Sequence, residues 1–123
     1  MLALFRVCGF LYIVSSLWCV LQMDMVTAYL GFQLLNNVAQ SEFITVYGGM
    51  QMGIGLAMLL TSLRSDYMEA GLFFSMVFSL FLAFYRLVSF FMFDMPSSVL
   101  PLLVLECAIA MVLCIAMSRM RAR

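Results

Sequence analysis

Four apolar runs, each about as long as a lipid bilayer is thick, limit what this chain can become. They cover about residues 2–22, 43–63, 70–93 and 99–117 of 123. At a rise of about 1.5 Å per residue, roughly 20 helical residues cross a hydrocarbon core of about 30 Å. An open strand would leave its backbone donors and acceptors unpaired in lipid, and continuous runs lack the alternation of a closed barrel. The runs therefore predict an all-α integral membrane protein, a four-helix transmembrane bundle occupying residues 1–123 as one domain. Short connections use the remainder, which leaves no length for a soluble catalytic domain.

Composition agrees and removes several functions. Hydrophobic residues make up 67% of the chain and charged ones 10%, against about 45–50% and about 25% in soluble domains. Six arginines balance six acidic residues, so no basic patch points to nucleic acid. Without histidine the chain lacks the commonest metal ligand and acid-base group. Cys8, Cys19, Cys107 and Cys114 lie inside the apolar runs without C-x-x-C spacing and read as buried packing residues. Met23-Asp24-Met25 and Met92-Phe93-Asp94-Met95 invite a copper(I) reading, but the methionines read better as adaptable membrane packing, and neither a metal nor a cofactor is expected. The first run has the look of a secretory signal, yet bulky Leu17 and Trp18 precede any cleavage or lipidation point at Cys19, so it reads as a retained span.

Arginine placement sets the expected orientation. Arg6, Arg64, Arg119, Arg121 and Arg123 fall at the amino end, the second connection and the carboxyl end, while the first and third connections carry no arginine. The positive-inside rule then puts both termini in the cytoplasm. The first connection, from Asp24 to Ser41, is longer than a turn needs. Its stretch Met25–Leu35, stopped by Asn36-Asn37, predicts a short helix in the outer interface. Arg64–Glu69 reads as a polar turn and Ser98 as the cap of the last helix, with Pro101 in its first turn.

Three strongly polar residues, Gln51, Arg86 and Glu106, lie deep in the runs, where a charge costs about 2.5–3.5 kcal/mol even on lenient scales. Arg86 precedes Asp94 by eight residues and Glu106 follows Val99 by seven, which puts them roughly 12 and 10 Å below the outer boundary. They lie level on consecutive antiparallel helices and form an expected ion pair. Gln51, Ser15 and Ser16 fall at a similar depth, so all four helices contribute to one polar layer. Tyr47 sits at the edge of the face that Gly48, Gln51 and Gly55 share. On the third helix Ser75, Ser79, Leu82, Arg86 and Ser89 share a face. Gly49 and Gly53 form a G-x-x-x-G pair on the opposite side of the second helix, where another backbone can approach.

Several readings of the layer stay open. It ties the bundle together, it binds a lipid-like or quinone-like molecule, or it serves a carrier or ion pathway. The last lacks a carboxylate or histidine relay in the inner half. The chain as a whole reads as a non-enzymatic membrane protein, with an accessory or assembly subunit of a larger membrane complex as the alternative. Its partners are the bilayer itself and a lipid, a quinone or another membrane protein.

The run Tyr47-Gly48-Gly49-Met50-Gln51-Met52-Gly53-Ile54-Gly55, followed by Arg64, by Arg86 eight residues ahead of Asp94, and by Glu106, resembles the small bacterial four-span proteins grouped as domain-of-unknown-function family 4345. The similarity extends over almost the whole chain. It implies a four-helix protein of the bacterial inner membrane and brings no activity with it. Tyr85 stands ahead of Arg86 where the family pattern implies a small residue. The general shape is also similar to the four-helix DoxX-type proteins, some of which accompany quinone-linked oxidoreductases, a resemblance at the level of fold alone.

Overall fold

The computed structural model describes residues 2–122, so Arg123 lies outside the described residues. Helix α1 spans Leu2–Leu21 and a short α2 spans Met23–Leu30. Helix α3 runs over Asn37–Thr61, α4 over Ser65–Met92 and α5 over Leu100–Arg121, the last preceded by a single 3₁₀ turn at Ser97–Val99. Four of these segments are long and apolar enough to cross a membrane, and there is no strand among the described residues.

Several boundaries differ from the sequence expectation for identifiable local reasons. Helix α2 stops at Leu30 and not Leu35, because Gly31 adopts the left-handed conformation at φ +77° and turns the chain away. Asn36 starts a helix where a stop was expected. Its side-chain oxygen accepts from the Ala39 N–H at 2.9 Å, an N-cap that begins α3 six residues early. Only Ser62–Arg64 remain as the turn before α4, whose first turn takes in Asp66, a carboxylate favoured by the positive end of the helix. Ser98 does not cap α5: its side chain makes no capping bond, and it contributes instead its carbonyl to Tyr29. Pro101 does fall in the first turn of α5.

Within α3, residues Ile44–Met50 form a π-helical turn, wider than the α-helix on either side. The segment contains Tyr47-Gly48-Gly49, and π turns of this kind recur at functional sites. The Tyr47 ring stacks on Phe43 with centroids 4.7 Å apart, and Phe32 meets both rings edge-on. These aromatic contacts tie the chain between α2 and α3 onto the start of the span.

Helix α1 packs along α3, and α4 along α5, while the seams between the two pairs are looser. The α1–α3 crossing is close because two glycines face each other. A Cβ on Gly55 would lie 2.6 Å from the Gly9 carbonyl oxygen, and one on Gly9 3.0 Å from the Gly55 carbonyl oxygen. At the arginine-bearing end the bundle is solid, with Phe5, Met58, Leu72 and Leu113 fully enclosed. Arg6 closes that end by donating to the hydroxyl and the carbonyl of Ser62 at 3.0 and 3.2 Å, which satisfies the C-terminus of α3. A second small core of Cys19, Val26 and Phe43 seats α2 at the opposite end. The space between the two cores is not filled.

Candidate functional site

The unfilled space is a cavity of about 100 Å³, walled by α1, α2, α3, α4 and α5. Its volume is several times the roughly 10–15 Å³ that one water needs. Most of its lining is apolar, which concentrates attention on the few polar groups that converge there.

Arg86 and Glu106 form its charged wall. The Arg86 Nε–H donates to Glu106 Oε2 across the α4–α5 hairpin, and these are the only charged residues among the described ones that line the cavity. Both side chains retain partial exposure, 23% and 14%, so the pair is half-buried and borders the cavity instead of being sealed in protein. Gln51 of α3 lines the same cavity. Its Oε1 is the one enclosed side-chain oxygen or nitrogen without a hydrogen-bond partner among the described residues. Leaving such a group unpaired costs about 1–3 kcal/mol. Tyr47, carried by the π turn, and Ser15 on α1 also line the space.

Two predicted members of the layer lie elsewhere. The Ser16 hydroxyl donates to the Gly48 carbonyl at 2.7 Å, a bond that fastens α1 to α3 behind the cavity. The Ser89 hydroxyl donates to the Arg86 carbonyl of its own helix at 2.7 Å, because a serine three residues on can always bond back to its own helix. Other cavity residues escaped sequence reading. Tyr12 forms the floor, its hydroxyl 3.0 Å from that of Ser79; its position four residues before Ser16 was the available signal. Tyr29 and Val26 of α2 form the roof, and the Tyr29 hydroxyl donates to the Ser98 carbonyl at 2.5 Å.

The mouth follows from which lining residues are exposed. Leu11 and Trp18 on α1, Tyr29 on α2 and Leu105 on α5 line the cavity and are also exposed, whereas Gln51, Arg86 and Glu106 are half-buried. The opening therefore lies sideways between α1 and α5, beneath α2.

Glycine placement separates two roles. Gly48 and Gly55 are buried against α1, with a Cβ at Gly48 falling 2.6 Å from a Val20 methyl. At Gly49 and Gly53 no described residue, apart from the adjoining backbone of the helix itself, lies within 4 Å of a Cβ. Close packing inside the bundle thus uses the first two, with Gly9 as the partner missed in the sequence, and the G-x-x-x-G pair points outward. Tyr85, bulky where a small residue was expected, is also exposed, its ring edge-on to Phe84 with centroids 5.7 Å apart.

Fold and cavity together define a multi-pass helical membrane protein with a mostly apolar recess that carries a few polar groups. The chain belongs to the family described as Domain of unknown function (DUF4345), which it matches over residues 1–117. No curated protein and no solved structure matches it.

Proposed function

We propose that this protein is a non-enzymatic membrane protein whose cavity binds a small amphipathic molecule, lipid-like or quinone-like, taken up sideways from the bilayer. The observation that carries this reading is the wall of Gln51, Arg86 and Glu106 around a recess whose mouth, Leu11, Trp18 and Leu105, opens sideways. Ligand pockets typically combine an apolar lining with a few convergent polar groups, as this one does. An ion pair kept in contact with a cavity also fits the default meaning of ionisable residues inside a membrane.

The arginine distribution supports cytoplasmic termini, which puts the cavity in the outer leaflet, and the resemblance to small bacterial four-span proteins supports an inner-membrane location. A carrier or ion pathway draws no support from the packing, since the solid core of Phe5, Met58, Leu72 and Leu113 lies between the Tyr12 floor and the arginine-bearing end. Gly49 and Gly53 favour a second reading, an accessory subunit of a larger membrane complex, because small outward residues let a partner helix approach.

Native mass spectrometry after purification in mild detergent tests both. The binding reading predicts a lipid or quinone adduct on the wild type that is lost from a folded Arg86→Gln/Glu106→Gln double variant. An adduct-free wild type would remove it. The subunit reading predicts a co-purifying protein that Gly53→Ile displaces without unfolding the bundle.

A further inference from the structure

Resting on the binding reading above, we infer that the cavity selects an uncharged head group bearing a hydroxyl donor, and discriminates against anionic head groups. Three observations converge on this chemistry. The charges that line the cavity are one cation and one anion already paired, Arg86 with Glu106. A phosphate brought beside them would add a negative charge with no cation left to neutralise it, in surroundings of low dielectric. The wall also has an unmet need. Gln51 Oε1 has no partner, and what an acceptor lacks is an O–H or N–H. Gln51 lines the recess and the terminal torsion of a glutamine side chain is broad, so rotation about it turns the enclosed oxygen toward a hydroxyl bound there. Finally, a recess several waters in size accommodates a head of a few non-hydrogen atoms beside these groups. An apolar tail then leaves past Leu11, Trp18 and Leu105 into the leaflet.

The head group of a diacylglycerol meets these demands, as does the phenolic hydroxyl of a hydroquinone. Trp18 is the only tryptophan in the chain and stands at the mouth, so it reports on the tail. The full chain is reconstituted into phosphatidylcholine vesicles doped with small fractions of probes that share one brominated tail and differ only in the head. The probes are a diacylglycerol, its methyl ether and a phosphatidylglycerol. Bromine quenches Trp18 on contact, and quenching above that of random mixing measures selective binding.

The diacylglycerol should quench half-maximally at a mole fraction roughly fivefold to tenfold lower than the ether or the phosphatidylglycerol, the value of about one satisfied hydrogen bond. Gln51→Leu should abolish the preference over the ether, and Gln51→Met serves if that variant fails to fold. Recovery of Trp18 emission on adding a decyl hydroquinone, but not its dimethyl ether, would support the same chemistry and identify a quinol as an alternative source. If the ether or the phosphatidylglycerol quenches as well as the diacylglycerol, or if Gln51→Leu retains the preference, the head-group assignment fails while the pocket stands. If no probe exceeds random mixing, the binding reading itself fails.

Discussion

Arg86 on α4 donates its Nε–H to Glu106 on α5, and this is the only ion pair among the described residues. Removing one partner of a buried pair strands the other charge and commonly costs about 3–5 kcal/mol. Because both side chains border a cavity, Glu106→Gln should cost about 3 kcal/mol, at the low end of that range. Arg86→Gln/Glu106→Gln should recover part of the loss, since neither charge remains. Thermal denaturation of the three variants in detergent completes the double-mutant cycle, and strictly additive losses would show that the two residues act independently.

The facing glycines of α1 and α3 make a contrast with their neighbours. Gly55→Ala places a methyl 2.6 Å from the Gly9 carbonyl oxygen, a contact the two helices relieve only by moving apart. Overpacking of this sort costs about 1–3 kcal/mol. Gly53→Ala meets open space within the chain and should be neutral, or gain up to about 1 kcal/mol from helix propensity. Folded yield and melting temperature of the two variants, side by side, decide the matter; equal behaviour would mean that the α1–α3 crossing is not close.

Tyr29→Phe removes the hydroxyl that fastens α2 to the turn before α5. Side-chain hydrogen bonds in membrane proteins are worth about 0.6 kcal/mol on average, so global stability should barely change. Exchange of the amide hydrogens of Val26–Leu30 should instead quicken several-fold, because the roof opens without the bundle unfolding. Unchanged exchange would show that Val26 and its apolar neighbours hold the roof alone.

Topology offers a test of orientation. Alkaline phosphatase fused after Leu35 or after Ser97 should be active, and fused after Asp66 or at the carboxyl end inactive, because Arg6, Arg64, Arg119 and Arg121 lie at the opposite end from the cavity. The reverse pattern would move the cavity to the inner leaflet.

What the sequence determined by itself is everything that depends on distance along one helix or one hairpin. Lipid requires each span to satisfy its own backbone, so four apolar runs meant four helices before any packing was known. Arg86 and Glu106 lie on adjacent antiparallel helices, so counting residues from the turn between them was enough to bring them level, and they pair. Tertiary structure decided the rest. In a membrane the buried and lipid-facing sides of a helix are both apolar, so the pattern of hydrophobic residues hardly marks which side turns inward. That is why Gly49 and Gly53 looked as suited to close packing as Gly55, and why the facing partner Gly9 went unseen. The cavity depends on the spacing between α1 and α5, helices at opposite ends of the chain, and on Gly31 and Asn36 directing α2 across their seam as a roof. Only the rotational setting of those helices turns Tyr12, Trp18 and Gln51 toward one shared space and Ser16 and Ser89 away from it.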